Sequence, residues 1–357
     1  CGKTSLIRFF AEKVLEDELE IVSVHAGFSN QALRDKIEEL KCRSESLERG
    51  KKLWVFFDEF NTTESVGNIC EIMCNRSFEG EELPENMAFL GACNPYRVKK
   101  EAPAFEDSVG IKKARNSNMK LVHHVKPLPE TVIQYIWDFG KLTESDLSSY
   151  VSSMLTNAQV CEPELFKNLI CSAHKYFQEQ EETSSVSLRD VARFKILYEW
   201  FKKALETKAE IENERSYYEN LEKHQLTVDR AFPPEIEAGV LAFCHCYYLR
   251  MPSEEKRIEL LQRTSALSKG MLSIENILAA VTAEQNDYLA RMEIPEGTAL
   301  NKALRENIFA TIPCIVNKIP IFICGKPGCS KSLAIQLIFA NLRGQKSPDA
   351  FFRTLPE

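Results

Sequence analysis

Eight residues near the carboxyl end of the sequence, 325–332, follow the phosphate-loop pattern G-x-x-x-x-G-K-[ST] except at the sixth position, where Ser330 replaces glycine. The backbone N–H groups of such a loop, together with the N-terminus of the helix that follows it, converge on a polyphosphate. Lys331 would lie along the β- and γ-phosphates, and the Ser332 hydroxyl would reach Mg²⁺. The predicted nucleotide-binding residues of this loop are Gly325, Gly328, Lys331 and Ser332. The alternative is a glycine-rich turn followed by a chance Lys-Ser pair, and Ser330 leaves the affinity of the loop open.

A second set of residues with the same chemistry lies near the amino terminus. Gly2-Lys3-Thr4 opens a helix, and the apolar run 53–57 ends in the two carboxylates Asp58 and Glu59, as in a Walker B strand. We expect Gly2, Lys3 and Thr4 to bind nucleotide. Thr4 and Asp58 would hold Mg²⁺, and Glu59 would act as the general base that polarises the attacking water. The alternative is an ordinary strand followed by an acidic helix cap.

Two further polar residues fit the same interpretation. Asn94 follows the apolar run 87–93 and precedes a proline, so it could contact the γ-phosphate and orient the water. Arg189 opens a helix that Ser187 caps, and it could reach the nucleotide as a sensor, with Arg193 as the substitute. The alternatives are a common Asn-Pro turn and a helix-surface cation.

The hydrophobic pattern predicts the elements that position these residues. Fully apolar strands separated by helices over residues 1–140 indicate a parallel sheet covered on both faces. From residue 129 to about 290 the periodicity is helical, and near the end a strand precedes the second loop. The predicted strands cover 20–24, 53–57, 87–93 and 321–324, and the predicted helices cover 4–18, 32–48, 65–74, 130–139, 163–179, 187–205, 234–250 and 332–342.

Composition and charge exclude several function classes. With 44% apolar and 27% charged residues among 357, the chain is an ordinary globular sequence and not a disordered one. Its net charge of −7 provides no basic field for nucleic acid or anionic lipid, so nucleic acid is not the default partner. We also expect no transmembrane segment and no secretory leader. The 12 scattered cysteines suggest a reducing compartment, and Cys1 in place of Met suggests a fragment of something longer.

The motifs taken together resemble a known family. Gly2-Lys3-Thr4, Asp58-Glu59, Asn94-Pro95 and Ser187-Leu188-Arg189-Asp190, in that order, resemble a module of the AAA+ ATPases. Over longer stretches the sequence resembles the mysterin family of giant ring-finger proteins with a dynein-like AAA+ core. The segments that carry this likeness are 56–61, 75–77, 83–86, 91–97, 125–129 and the 325–332 loop.

This resemblance implies tandem AAA+ modules on one polypeptide, with ATP and Mg²⁺ as cofactors and neighbouring AAA+ modules as partners. It also implies an E3 ubiquitin-protein ligase that works with the ubiquitination machinery in the cytosol and associates with lipid droplets. The implied fold is α/β: a P-loop AAA+ core with a parallel sheet, an α-helical lid, a helical linker and the start of a second AAA+ α/β module. The expected bounds are 1–140 for the core, 141–205 for the lid, 206–300 for the linker and 301–357 for the second module.

Several alternatives stay open at this point. Cys70 with Cys74, or Cys244-His245-Cys246, could suggest zinc, but core cysteines are the favoured interpretation, and the ligase parts are expected outside this chain. The basic stretch 112–115 is either an arginine finger for another module or a solvated loop. The chain could instead be a nucleotide-stabilised scaffold with little turnover, or a partner-docking module built on 206–300.

Overall fold

A computed structural model describes residues 2–94, 125–138, 140, 142–180 and 185–355. These residues form two compact units, which we call unit 1 (2–140) and unit 2 (142–355). The basic stretch 112–115 and Pro95 lie outside the described residues. None of the helices in the described ranges is both long enough and apolar enough to cross a membrane.

Unit 1 is an α/β unit built on three parallel strands in the order β1-β2-β5. Five of its strands and four of its helices are described, with a π-helical turn at Phe10–Val14 and a 3₁₀ turn at Phe60–Thr62. In chain order the elements are α1 (Lys3–Phe9), β1 (Glu18–Ser23), α2 (Asn30–Glu45), β2 (Leu53–Asp58), α3 (Val66–Asn75), β3 (Ser77–Phe78), β4 (Glu81–Glu82), β5 (Met87–Gly91) and α4 (Glu130–Ile133).

The central strand β2 has both faces covered, because successive side chains of a strand point to opposite sides. Val55 and Phe57 on one face are fully buried in a core shared with α2 and α3. On the other face, Trp54 contacts the ring of Phe10, with 6.4 Å between ring centroids. The α/β class with a parallel sheet is therefore confirmed, and helices lie on both sides of the sheet.

Unit 2 is helical, and one core runs through it. Its elements are α5 (Glu144–Asn157), α6 (Pro163–Gln180), α7 (Leu188–Glu210), α8 (Arg215–His224), α9 (Pro234–Phe243), α10 (Glu254–Leu267), α11 (Ile274–Ala290), α12 (Lys302–Val316), α13 (Lys331–Asn341) and α14 (Ala350–Arg353). Phe201 of α7 stacks on Phe309 of α12 at 5.9 Å, and Leu337 and Phe351 belong to the same core. Residues 301–355 therefore pack with the helical region, while the proposed bounds of lid, linker and second module stay predictions.

A buried ion cluster lies inside unit 2. Lys208 of α7 donates to Glu284 and lies equally close to Asp287, both at 2.7 Å, and these two acids are on α11. Arg230 pairs with Glu284 at 2.8 Å, and Arg291 pairs with Asp287 at 3.0 Å. Buried charges are tolerated only when they are paired. The cluster therefore fixes how α7 and α11 pack against each other.

Four predicted elements differ from the structure. The helix predicted over 4–18 changes to a π-helical turn at Phe10–Val14 and ends there, and Glu18 begins β1. Residues 321–324 form no strand, because no neighbouring strand in the described part of unit 2 offers them ladder hydrogen bonds. The helix predicted over 130–139 stops at Ile133, since only Val132 in it is buried and a short helix without a packed face is unstable. The helix predicted over 234–250 changes to a π-helical turn at Cys244–Tyr248.

Candidate nucleotide site

The predicted site residues of unit 1 lie at the carboxyl edge of the parallel sheet. Asp58 is the last residue of β2, and the strand pairing continues past β5, with the Ala92 N–H donating to the Phe57 carbonyl at 2.9 Å. Asn94 follows two residues later. Because the carboxyl ends of parallel strands meet at one edge, Asp58 and Asn94 are held on neighbouring strand ends.

The Gly2-Lys3-Thr4 segment meets this edge at both strands. The Thr4 hydroxyl donates to Asp58 Oδ2 at 3.0 Å, and Lys3 Nζ donates to the Cys93 carbonyl at 2.9 Å. Gly2 has a φ of 76°, a conformation that favours glycine, and it comes directly before α1. The structure thus brings Lys3, Thr4, Asp58 and Asn94 together although more than fifty positions separate the first pair from the second.

The donor set at this edge fits a hard divalent cation. Magnesium takes oxygen ligands, usually one or two protein oxygens with waters and phosphate oxygens completing the octahedron. The Thr4 hydroxyl and the Asp58 carboxylate, both half-buried and 3.0 Å apart, are oxygen donors of this kind. The Lys3 ammonium lies at the neighbouring strand end, on the Cys93 carbonyl, and would supply the cation that a phosphate needs.

Glu59 follows Asp58 in an unusual backbone conformation. Its φ is 56°, in the left-handed region, which costs a non-glycine residue about 1 kcal/mol or more. The turn is fixed from both sides, because the Thr62 N–H donates to the Glu59 carbonyl at 3.0 Å and the Phe60 N–H donates to the Ala92 carbonyl at 3.1 Å. The Glu59 side chain is exposed, and Glu59 directly follows Asp58 in the sequence.

Asn61 is a residue of this site that the sequence did not single out. Its side chain is buried; Nδ2 donates to the Asn94 carbonyl at 2.8 Å, and Oδ1 accepts from the Asn94 N–H at 3.3 Å. Both ends of one amide therefore hold the backbone of Asn94. The one signal in the sequence that points to Asn61 is its position directly after Phe60, an aromatic residue that must be buried.

Cys93 lies beside Lys3, so burial and a nearby positive charge both act on its thiol. Burial raises the pKa of the Cys93 thiol, and the nearby Lys3 ammonium opposes that shift. Burial also raises the pKa of Cys70 to about 12.

The cysteines that the structure describes do not form a metal site. Within the described residues, no three His, Cys, Asp or Glu side chains converge on a point where they could hold a metal ion. Thiols with raised pKa values are poor metal ligands.

The second predicted loop lies in unit 2, before α13. Lys331 Nζ donates to the carbonyls of Gly325 at 2.8 Å and Lys326 at 2.7 Å, so the lysine folds over the loop. Gly328 has a φ of 86° and Ser330 a φ of 53°. Ser332 is exposed in the first turn of α13.

The two arginines named as sensors also lie in unit 2, at the start of α7. Arg189 is exposed, and its backbone N–H donates to the capping hydroxyl of Ser187 at 3.2 Å. Arg193 is 3.7 Å from Asp190 within the same helix, and Asp190 also accepts from Arg250. The sensor role of Arg189 stays a prediction.

Comparison with known proteins gives a consistent family. Residues 1–97 and 297–357 each match a family model described as RNF213 AAA domain. The whole chain is 30% identical to the E3 ubiquitin-protein ligase rnf213-beta of Danio rerio, 30% identical to E3 ubiquitin-protein ligase RNF213 of Mus musculus and 27% identical to that of Homo sapiens. It spans 7% of the length of each of these relatives.

The two matched segments contain the two loops described above, one in each unit. The Gly2-Lys3-Thr4 segment, Asp58-Glu59 and Asn94 lie in the first, and Gly325 to Ser332 lies in the second. The identity along the whole chain covers the helical region between them as well. The chain is therefore a mysterin-like AAA+ segment, with a match to an RNF213 AAA domain in each of its two units.

Proposed function

We propose that the carboxyl edge of the unit 1 sheet binds MgATP. The observation that carries this proposal is the hydrogen bond from the Thr4 hydroxyl to Asp58 Oδ2, which joins the helix-opening Lys-Thr pair to the acidic end of β2. Gly2 gives the loop its turn, Lys3 pairs with the β- and γ-phosphates, and Thr4 and Asp58 hold the Mg²⁺ shell. Bound magnesium would neutralise charge on the phosphates.

In this proposal unit 1 also hydrolyses the bound ATP. Glu59 accepts a proton from the attacking water as general base, and its exposed carboxylate one residue beyond Asp58 supports that role. Asn94 orients the same water, and Asn61 keeps the Asn94 backbone in place. An arginine would offset charge on the γ-phosphate, and removal of such an arginine costs about 10³ to 10⁵ in rate. We assign a sensor role to Arg189, and expect a neighbouring AAA+ module to supply the finger.

The second loop, in unit 2, binds a second nucleotide in the same proposal. Gly325 and Gly328 shape it, Lys331 turns from the loop carbonyls to the phosphates, and Ser332 reaches magnesium. The family matches at both ends of the chain support tandem AAA+ modules on one polypeptide. By kinship with the RNF213 ligases, we further propose that the chain works within an E3 ubiquitin-protein ligase, with the ubiquitination machinery as partner, in the cytosol and at lipid droplets.

Thermal unfolding of the 357-residue chain with and without MgATP tests nucleotide binding. A ligand that binds only the folded state raises its stability, and saturation predicts a rise in melting temperature of about 5 °C for the unit that binds. Lys3→Ala should abolish the rise for unit 1, and Lys331→Ala that for unit 2. Lys13→Ala, an exposed lysine just after α1, is the matched control. Identical melting curves with and without MgATP would show that the chain binds no nucleotide.

Hydrolysis is tested with Glu59→Gln in a protein of the relatives' full length, where neighbouring modules can complete the site. We expect ATP turnover from this site to fall about 100-fold or more while ATP binding is kept. Glu38→Gln, an exposed glutamate on α2, is the matched control. If turnover is unchanged by Glu59→Gln while MgATP still stabilises unit 1, the segment is a nucleotide-stabilised scaffold and not an ATPase.

A further inference from the structure

The sixth position of the second loop carries a residue whose conformation is costly. Ser330 has a φ of 53°, in the left-handed region that glycine adopts without strain. Glycine is the usual residue of the phosphate-loop pattern at this position. Something in the fold must therefore hold Ser330 in place.

Ser330 also fails to do what a serine normally does at the start of a helix. A serine N-cap is usually extended and accepts a hydrogen bond from an N–H group of the first turn. Ser330 precedes α13, yet its side chain makes no such bond. If it did, the serine would occupy an N–H group that a phosphate needs. Its hydroxyl instead accepts a hydrogen bond from a side chain at the start of α12.

Asn301 accounts for this orientation. It is the N-cap of α12, and its Oδ1 accepts from the Leu304 N–H at 2.9 Å, so the side chain is anchored to its own helix. The other end of the same amide, Nδ2, donates to the Ser330 hydroxyl at 3.2 Å. One asparagine thus links the start of α12 to the sixth position of the loop.

Asn307, nearly two turns further along α12, holds the neighbouring loop residue. Its Nδ2 donates to the Cys329 carbonyl at 2.9 Å. A carbonyl held by α12 cannot turn into the concave side of the loop, where it would repel a phosphate oxygen. The two contacts act on consecutive residues of the loop, Cys329 and Ser330.

We infer that Asn301 and Asn307 are positioning residues that hold the 325–332 loop in a phosphate-accepting shape and so allow serine in place of glycine at position 330. This inference rests on the proposed nucleotide binding by unit 2. The ligand class is a nucleoside triphosphate with magnesium. The specific expectation is that the need for Asn301 depends on the side chain at position 330, because glycine has no hydroxyl to hold and adopts the left-handed conformation freely.

A double-mutant cycle tests this dependence in the Lys3→Ala chain, where the second loop is the remaining nucleotide site. Asn301→Ser keeps a good helix cap but is too short to reach Ser330. We expect it to weaken binding of a fluorescent ATP analogue with Mg²⁺ about 3- to 10-fold, as for one lost hydrogen bond. In a Ser330→Gly background the same change should have an effect of less than about 2-fold. Equal effects in both backgrounds, or none in either, would overturn the inference.

Amide hydrogen exchange without nucleotide separates the loop geometry from binding. Asn301→Ser and Asn307→Ala should speed exchange of the amides from Cys329 to Leu333 about 3- to 10-fold. Asn317→Ala is the matched control, because Asn317 caps the other end of α12 and donates to the Pro313 carbonyl. Unchanged exchange in both variants would overturn the inference on geometry alone. If the Lys3→Ala chain binds no more analogue than the Lys3→Ala/Lys331→Ala chain, the proposed function of this loop is wrong, whatever the exchange shows.

Discussion

Asn61 and Asn341 show how single asparagines set the position of chain segments that are distant in sequence. Asn61 bonds to both the N–H and the carbonyl of Asn94, and Asn341 bonds to both the N–H and the carbonyl of Glu293. Both side chains are buried. A side-chain amide offers a donor and an acceptor side by side, so it can replace the pairing that a neighbouring strand would provide. At the candidate site, this makes the Asn94 position dependent on Asn61.

Replacing Asn61 by Ala should therefore impair the proposed chemistry more than nucleotide binding. The variant leaves the N–H and the carbonyl of Asn94 without these partners, which lowers the free energy of unfolding of unit 1 by about 1–3 kcal/mol. Loss of the Asn94 position should reduce ATP turnover in the full-length protein about 10- to 100-fold with a smaller change in ATP affinity. Asn68→Ala is the control, because it removes an exposed hydrogen bond from Asn68 on α3 to Asn30 on α2. Equal turnover by Asn61→Ala and the parent would contradict this role.

The elements around the site pack closely where β5 ends. A Cβ atom added at Gly91 would lie 2.8 Å from two ring atoms of Phe60 and 2.9 Å from Met73 Sδ. Phe60 is buried and comes directly before Asn61, so the close approach of β5 to this ring sets the distance across which Asn61 reaches Asn94. The glycine is needed for space, since its φ is not in the left-handed region.

Gly91→Ala should accordingly lower the free energy of unfolding of unit 1 by about 1–3 kcal/mol, because the added methyl group would overlap the buried Phe60 ring. Chemical denaturation followed by the fluorescence of Trp54, which lies on the central strand, would measure it. Gly67→Ala is the control: nothing lies within 4 Å of a Cβ atom there, and alanine favours the helix α3. If the two variants have the same stability, the Gly91 contact does not determine the packing of β5.

The sequence predicted the elements best where periodicity alone decides them. The strand Leu53–Asp58 and the helix Pro163–Gln180 lie within one residue of their predicted bounds, because their apolar patterns are long and regular. Residues 321–324 are as apolar as a strand, but a strand also needs a neighbour, which a local pattern cannot reveal. The roles of Asn61 and Asn301 were missed for a related reason, since each depends on a partner about thirty positions away.

At the scale of the whole molecule, the two units differ in how they are held together. Unit 1 relies on a sheet, whereas unit 2 encloses polar and ionic groups within a helical core. Burial alone would raise the pKa of Glu284, but Lys208 and Arg230 lower it below its usual value, so this acid stays charged inside the core. His174 lies in the same unit, buried beside Tyr247, whose hydroxyl is 3.0 Å from its Nε2. These groups make the stability of unit 2 dependent on pH.

Unit 2 should lose stability in mild acid because of His174. Burial lowers the pKa of His174 from 6.5 to about 4; Arg250 adds to this shift and Asp190 opposes it. Below the unfolded value the unfolded chain binds a proton that the folded chain does not, so stability falls as the pH falls from 6.5 towards 4. The expected loss from this residue is about 2 kcal/mol between pH 7 and pH 5.

Urea unfolding at pH 7 and at pH 5 measures this loss of stability. His174→Gln should remove the part that His174 contributes, whereas the control His25→Gln, at an exposed histidine of unit 1, should not. His245, whose pKa burial also lowers to about 4, leaves a similar loss in the His174→Gln chain. A loss of the same size in the parent and in His174→Gln would mean that His174 is not the group that couples folding to pH.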